Sequence, residues 1–528
     1  MLKNLFRRPP ESPTNPMVKP PPPLTFDVAD LYRGPVDPGS EVSEEGEALD
    51  EKLRQAYFWI VNNAVISPHY DLEYNDGQPP SYTFGDTRSR LVLPTAQSYS
   101  SFVLLPLLNF AVRRRCLLVG GPGRGKTASA VLMGVLAGYS LQEVRRAIQH
   151  GQPQMTISDL LGNPLPADLI QAQSLEQIRI SWRRWLGMRV KIIDEYNRIP
   201  TRTQSALLTV LADNYAEILD HIYECPEAAW YLTANDDQGG GTYQVIEALR
   251  DRIDVVVRAL HFNTRFFSEL LTRVEEGIRP EEVVPAELVF TPAQSERMYR
   301  EIARLPVPTE VLRRFEFFAS QFEFFEAAGA QLEYKTKDNL KLSGLDPTSL
   351  ASLDSGRDRV KDLGVQTRNG LSVRAMMSVL IFAKALAYVR GVPMVGLEDM
   401  RQILPFVLHD KLTPDLDAPF FEAAGNGVLR VDRVSWIRSL FDLSCQEYDR
   451  LGLDKDDPLR KLSQDFAKGL EGLSEPEVKA RLVEIERLLA SWSKQRKLFG
   501  HLYDDVLYLK YLHQRYTNYR AWLQWKKA

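Results

Sequence analysis

The chain has 528 residues, of which 44% are apolar and 25% are charged. This composition predicts a globular protein of about two to four domains. The 65 basic and 69 acidic residues give a formal net charge of −4. This excludes a strongly positive field that would hold phosphate backbones non-specifically, and it disfavours nucleic acid as a partner. The three cysteines lie far apart in the sequence, which suits a reducing compartment.

Residues 1–48 are rich in proline and acidic residues, a composition that favours a flexible arm over a packed element. The arm could instead dock on a neighbour. No apolar signal segment precedes its prolines, and the apolar stretch 102–112 is too short to span a membrane. We therefore expect a cytoplasmic protein without a membrane span.

Residues 49–260 are predicted to form an α/β core. Strand-type apolar runs alternate there with longer helical segments, which is typical of a mostly parallel sheet with crossover helices. These runs are CLLV at 116–119, VKIID at 190–194, AAWYLTAN at 228–235 and IDVVV at 253–257. Because ligands of such sheets bind at the carboxyl ends of the strands, the functional residues are expected directly after these runs.

The rest of the chain is predicted to be helical. Amphipathic segments in 261–411 indicate a second domain with a polar insertion near 329–369, and 412–528 forms a helical extension. The extension ends in an aromatic and basic helix. We expect this helix to pack or to make an oligomer contact, in preference to binding bases or a membrane surface.

A phenylalanine-rich segment of the second domain has helical spacing. One stripe is predicted to lie in the core and consists of Phe315, Phe318, Phe322 and Phe325. Phe317 and Phe324 lie off that stripe and are predicted to be free to face a partner.

The segment after the first strand-type run fits the pattern G-x-x-x-x-G-K-[ST] and opens a helix. Its residues are Gly120, Gly121, Pro122, Gly123, Arg124, Gly125, Lys126 and Thr127. The glycines let backbone N–H groups face the phosphates of a nucleotide, and the helix adds its positive N-terminal end. Lys126 would supply a mobile charge and Thr127 a hydroxyl for Mg²⁺. The pattern predicts ATP and Mg²⁺ as ligands.

Two further strand-type runs end in polar residues. The run VKIID ends in Asp194, which would hold the Mg²⁺ shell, and Glu195 would orient and polarise the attacking water. Asn235 closes a third run, where its amide could bind the γ-phosphate or the water. A strand-terminal asparagine is also a frequent turn residue.

The order of motifs resembles the MoxR branch of the AAA+ ATPases over residues 95–411. The resemblance rests on D-E-Y-N-R at 194–198, T-Q-S-A-L-L at 203–208, G-T-Y at 241–243, E-A-L-R-D-R at 247–252 and G-L-S-V-R-A at 370–375. It implies an AAA+ core over 49–260, a helical lid over 261–411 and an extension outside the family pattern. Val373 and Ile253 depart from the family's usual proline and phenylalanine, changes that affect packing and not charge.

The resemblance also implies a ring, commonly a hexamer, with ATP between subunits. Arg252 is then the arginine finger offered to the neighbour's γ-phosphate, with Arg250 in reserve, and Arg374 is the lid arginine that senses the phosphate bound by its own subunit. Such ATPases are chaperones that remodel or activate a client protein, sometimes with a von Willebrand factor A-domain adaptor. A nucleic-acid motor and a scaffold ring that seldom hydrolyses nucleotide remain the alternatives.

Overall fold

The computed structural model describes residues 48–527 except for 86–88, 236–246, 278, 325–331, 333–335, 346–362, 455–456, 496–497 and 499. The predicted arm up to residue 47, the G-T-Y motif at 241–243 and much of the predicted lid insertion therefore lie outside the described residues.

Within the described residues the strands are β1 (Ser81–Phe84), β2 (Ser89–Val92), β3 (Arg115–Val119), β4 (Gln149–His150), β5 (Gly162–Pro164), β6 (Ile180–Trp182), β7 (Val190–Asp194), β8 (Tyr215–Ile218), β9 (His221–Glu224), β10 (Ala229–Ala234) and β11 (Val255–Arg258). Five of them form a parallel sheet of order β11-β3-β10-β7-β4. The others form the antiparallel pairs β1–β2, β5–β6 and β8–β9.

The register of the sheet brings the predicted strand ends together. Val119 at the end of β3 lies beside Ala234 at the end of β10, and Leu232 of β10 lies beside Ile193 of β7. All six residues of β10 are buried, as expected for a central parallel strand that is covered on both faces. The predicted α/β fold is confirmed, and the edge strand β4 is an addition that the sequence did not predict.

The helices of the sheet region are α1 (Leu49–Asn63), α2 (Ser101–Val112), α3 (Lys126–Leu136), α4 (Leu141–Ala147), α5 (Ile157–Leu161), α6 (Pro166–Gln171), α7 (Thr201–Asp213) and α8 (Glu247–Arg252). They are followed by α9 (Phe267–Glu276), α10 (Pro292–Arg304), α11 (Thr309–Ser320), α12 (Lys337–Leu342), α13 (Val373–Val389), α14 (Leu397–Leu408), α15 (Pro419–Glu422), α16 (Arg433–Leu451), α17 (Pro458–Ala467), α18 (Glu475–Gln495) and α19 (Gly500–Lys527). Local signals set several of these bounds. Thr291 and Gln294, for example, form a reciprocal capping box at the start of α10.

The lid helices pack against the back of the sheet through one continuous hydrophobic cluster. It joins Cys116 of β3, Leu105 of α2 and Val257 of β11 to Val379 of α13 and Ile403 of α14. A second cluster covers the other face of the sheet and includes residues of α5, α7 and α8. The described lid helices thus share an interior with the sheet, while the domain boundaries predicted near 260 and 411 stay predictions.

The C-terminal extension covers part of the lid. Phe317 packs edge-on against Tyr448 at a ring-centroid distance of 5.4 Å, and Phe324 stacks on Tyr503 at 4.5 Å. Both phenylalanines are buried, so the prediction that they are free to face a partner is wrong, because helices of the same chain occupy that surface. Phe315, Phe318 and Phe322 are buried as predicted, and Phe325 lies outside the described residues.

Helices α17, α18 and α19 form a bundle with its own hydrophobic cluster, which contains Leu462, Ile485 and Leu509. Part of α19 is solvent-facing, since Trp525 is 75% exposed. No helix among the described residues is long and apolar enough to cross a membrane.

Candidate nucleotide site

The loop that follows β3 is held close to the chain that follows β11. At Gly120, φ is 150° and an added Cβ would lie 2.9 Å from the carbonyl oxygen of Ala259. Arg124 donates from Nη1 to the same oxygen at 3.0 Å. Gly125 adopts a left-handed φ of 77° directly before α3, a conformation that glycine reaches without strain. These contacts fix the shape of the loop.

Lys126 is the first residue of α3, and its side chain is buried beneath the loop. Its Nζ donates to the carbonyl oxygens of Gly120 and Gly121 at 2.6 and 2.8 Å. It also donates to Oδ1 of Asn235 at 2.9 Å. The ammonium therefore already points into the loop that is expected to hold phosphates.

Thr127 and Asp194 face each other across the sheet edge. The Thr127 hydroxyl donates to Asp194 Oδ1 at 2.7 Å, and Thr233 of β10 donates to the same oxygen at 2.7 Å. Thr233 also accepts a hydrogen bond from the backbone N–H of Glu195 at 2.9 Å. Thr233 thus connects the ends of β7 and β10, and it is a site residue that the sequence analysis missed.

The hydroxyl of Thr127 and the carboxylate of Asp194 are hard oxygen donors of the kind that Mg²⁺ prefers. Mg²⁺ usually binds one or two carboxylates together with waters and substrate phosphates. Across the part of the chain that the structure describes, no cluster of three or more His, Cys, Asp and Glu side chains could hold a metal by itself. The donor set therefore fits an ion that arrives with a nucleotide.

The short edge strand β4 brings a histidine to the same carboxylate. Nδ1 of His150 lies 3.2 Å from Asp194 Oδ2, and the Gly151 N–H donates to the Asp194 carbonyl at 2.7 Å. A Cβ on Gly151 would lie only 2.2 Å from the carbonyl oxygen of Glu195. The sequence assigned no role to any histidine, because a two-residue strand leaves no periodic pattern.

Glu195 is held from two sides at the end of β7. Its Oε1 accepts from Asn235 Nδ2 at 2.8 Å, and its Oε2 lies 3.2 Å from Nε of Arg198. The backbone of Glu195 has a φ of 52°, an uncommon conformation for a residue with a side chain, which suggests a constrained site. Asn235 contacts both Lys126 and Glu195, so it connects the phosphate-binding loop to the second carboxylate.

Lys191 lies within β7, three residues before Asp194. It is 1% exposed, and its Nζ donates to the carbonyl oxygen of Met188 at 2.7 Å. Burial away from water lowers the pKa of this ammonium to about 8. Strand β7, which carries Asp194, thus contains a buried ammonium whose charged form is destabilised by its surroundings.

A cavity of about 360 Å³ opens beside the phosphate-binding loop. Its lining comes from several separate parts of the chain and includes Val65, Ile66, His69, Gly123, Arg124, Leu132, Met133, Leu260 and Phe262. The mixture of apolar walls and a few polar groups is typical of small-molecule sites. No sequence motif marks this cavity, because its walls are far apart in the chain.

Arg252 ends α8 at the opposite edge of the sheet. Asp254, two residues later, donates its N–H to the carbonyl oxygen of Arg115 at the start of β3. The length of β3, about 13 Å, therefore lies between this point and the chain's own phosphate-binding loop. Arg252 is half-buried, and its Nε has no hydrogen-bond partner among the described residues. Arg250 is exposed on the same short helix.

Arg374 lies at that opposite edge as well. Its Nη1 pairs with Asp251 Oδ2 at 2.9 Å, and Ser372 donates to Asp251 Oδ1 at 3.1 Å. The structure does not bring Arg374 to the subunit's own phosphate-binding loop, in contrast to the expectation from the sequence. The physical reason is the packing of α13 behind the sheet, which carries this arginine away from the strand ends.

The parallel sheet, the glycine-rich loop after β3 and the carboxylates after β7 fit the core of the AAA+ class of P-loop ATPases. Residues 115–255 match the ATPase family associated with various cellular activities (AAA). The chain is 24% identical to Chaperone MoxR1 of Mycobacterium tuberculosis over 316 residues, which cover 59% of this chain and 71% of that protein. These matches support the assignment to the AAA+ ATPases of the MoxR type.

A solved structure of a proposed ATPase from Cytophaga hutchinsonii is also similar. It is 18% identical, has a TM-score of 0.43, and the match covers 64% of this chain and 89% of that one.

Proposed function

We propose that this protein assembles into a ring of identical subunits, a hexamer by its resemblance to the family, and that it hydrolyses ATP with Mg²⁺. We propose that it thereby remodels or activates a partner protein. The observation that carries this proposal is the continuous contact from Lys126 through Asn235 to Glu195. This chain of hydrogen bonds joins the group that would bind phosphate to the group that would activate water.

Each residue of the site has a distinct proposed task. The loop from Gly120 to Gly125 and the Lys126 ammonium bind the β- and γ-phosphates. Thr127 and Asp194 hold Mg²⁺, which when bound offsets the negative charge on the phosphates. Glu195 accepts a proton from the attacking water, and Asn235 fixes the position of that carboxylate. The neighbouring cavity takes the base and ribose.

The arginines are proposed to act on the nucleotide of a neighbouring subunit. Arg252 and Arg374 both lie at the edge of the sheet away from their own phosphate-binding loop. A cation there can reach a γ-phosphate only if a second copy presents its loop to this edge. An arginine supplied in trans stabilises the charge of the transition state and raises the rate by about 10³ to 10⁵.

The segment between β5 and β6 supports the proposal that the client is a protein. Its helix α6 exposes Leu169 by 53% and Ile170 by 86%. The exposed Arg179 is paired with Asp168 at 2.8 Å, so its charge is locally balanced. Exposed apolar side chains with balanced charge suit an unfolded or loosely folded protein segment better than a phosphate backbone.

The remaining parts of the proposal rest on the relatives. The name of the mycobacterial relative, Chaperone MoxR1, supports a chaperone-like action, and the MoxR resemblance supports a von Willebrand factor A-domain adaptor. Cys116, Cys225 and Cys445 are free, which agrees with a cytoplasmic location.

Two substitutions test the proposed function. Lys126→Ala should abolish binding of Mg·ATP in calorimetry, because the loop loses the ammonium proposed to bind the phosphates. Glu195→Gln should keep ATP affinity within about threefold and lower turnover at least about a hundredfold, because an amide cannot accept the proton of the attacking water. A wild-type chain that assembles and binds ATP but never releases phosphate would favour the scaffold alternative. ATPase stimulation by DNA, with none by protein clients, would favour the nucleic-acid motor.

A further inference from the structure

Helix α9 exposes a row of apolar side chains to solvent. Phe267, Leu271 and Val274 are spaced so that they form one stripe along the helix. Their exposed fractions are 61%, 57% and 71%, and no residue of α9 is buried. Contiguous exposed apolar side chains mark an interaction surface, unlike single scattered ones.

The opposite side of α9, which includes the half-buried Leu270 and Arg273, holds the helix to the protein. Arg273 donates from Nη1 to the carbonyl oxygen of Ala64 at 3.1 Å and pairs with Glu269 at 2.7 Å. Arg273 also lines the 360 Å³ cavity, as does Phe262, whose ring lies 6.0 Å from that of Phe267. The stripe therefore borders the cavity proposed to hold the nucleotide.

A second exposed apolar patch lies beside Arg374. Val373 and Met377 are one helical turn apart on α13 and are 68% and 54% exposed. Arg374, between them in sequence, is held by Asp251 at the edge of the sheet opposite to the phosphate-binding loop. The chain thus carries one apolar patch next to the cavity and another next to the arginine that would serve a neighbour.

We propose that these patches are the two halves of the contact between successive subunits. The stripe Phe267–Leu271–Val274 of one copy is covered by a second copy of this chain, which presents Val373 and Met377 together with Arg374. The inference rests on the proposed function. Arginines that act in trans can reach a nucleotide only if the face that carries them contacts the face with the cavity on the next copy. Such a head-to-tail contact joins two different surfaces, and it closes into a ring when the rotation between successive copies adds up to a full turn.

Sedimentation velocity with Mg·ATP tests the inference, with every chain also carrying Glu195→Gln to prevent turnover. Leu271→Glu and Met377→Glu should each raise the concentration for half-assembly at least about tenfold, as expected for a charge placed in an apolar contact. The matched control is Val431→Glu, at a side chain that is 88% exposed and belongs to neither patch, and it should assemble normally. ATP binding by Leu271→Glu in calorimetry should stay within about threefold of the parent chain, which shows that the fold is retained.

Opposite charges test whether the two patches meet each other. Leu271→Lys combined with Met377→Glu should assemble at a concentration at least about tenfold lower than either single variant, because each contact then joins an ammonium to a carboxylate. Normal assembly of Leu271→Glu, or no recovery in the combined variant, overturns the inference while the ring and the ATPase stand. If the parent chain binds ATP but stays monomeric, the ring fails and this inference fails with it. If the parent chain does not bind ATP, the proposed function itself fails.

Discussion

Gly151 allows the end of β4 to lie close against the backbone of Glu195, because glycine has no Cβ. Because a Cβ there would lie 2.2 Å from the Glu195 carbonyl oxygen, Gly151→Ala should displace the backbone that carries Glu195. We expect kcat to fall about 10- to 100-fold, as for misplaced catalytic groups, while ATP affinity changes little. Steady-state phosphate release measures this effect. Gly77→Ala, which would meet no atom within 4 Å, is the control, and equal rates for the two variants would contradict the prediction.

Lys191 gives the protein a specific dependence of stability on pH. Its pKa is about 8 in the folded protein and about 10.4 in an unfolded chain. Between these values the unfolded state binds more protons, so the free energy of unfolding rises with pH, by about 1 to 3 kcal/mol in total. Urea unfolding of wild type and Lys191→Met at pH 7.5 and pH 10 isolates this contribution. The free energy of unfolding should increase more between pH 7.5 and pH 10 in the wild type than in Lys191→Met. An equal increase in both proteins would show that Lys191 does not cause the pH dependence.

At the scale of elements, α13 is tied to the sheet by a buried hydrogen bond. Ser378 donates to Asp254 Oδ1 at 2.6 Å, and Asp254 Oδ2 accepts from the backbone N–H of Arg115. Ser378→Ala should lower the free energy of unfolding by about 1 to 2 kcal/mol, because a buried carboxylate loses a donor. Because lid and sheet share one hydrophobic cluster, Ser378→Ala should cause the same loss of protection from hydrogen exchange in peptides of α13 and of β3. The exposed Ser205→Ala is the control, and a loss confined to α13 would show that the two parts open separately.

The elements also explain which expectations the sequence could support. The positions of two motifs were predictable, the loop at Gly120–Thr127 and the acidic pair at 194–195. Each lies at the end of an apolar run that reads as a strand, and the carboxyl ends of parallel strands meet at the same edge of a sheet. The contacts of His150 and Thr233 with Asp194 were not, since both depend on strand order and on the short strand β4. The position of Arg374 was not predictable either, because it depends on how the helical domain packs on the sheet. Helical periodicity shows which side of a helix is buried, but not which face of the sheet the helix covers.

At the scale of the whole molecule, mixing inactive subunits shows whether the arginines act on a neighbour. Arg252→Ala retains the phosphate-binding lysine, and Lys126→Ala retains the arginine, so each should be inactive alone. In rings mixed at equal amounts, about one quarter of the contacts pair a subunit that binds ATP with a neighbour that supplies Arg252. We expect about that fraction of the wild-type rate of phosphate release.

The same mixture with Arg374→Ala in place of Arg252→Ala separates the two possible tasks of the lid arginine. The structure holds Arg374 at Asp251, beside Arg252 in the chain and away from its own loop, so we expect comparable recovery. If Arg374 instead served its own subunit's nucleotide, no contact in this mixture would combine Lys126 with Arg374, and the mixture would stay inactive. The control mixes Arg374→Ala with a chain carrying both Lys126→Ala and Arg374→Ala. No subunit there can supply the arginine, so recovery in the first mixture alone would assign Arg374 to the neighbour's site.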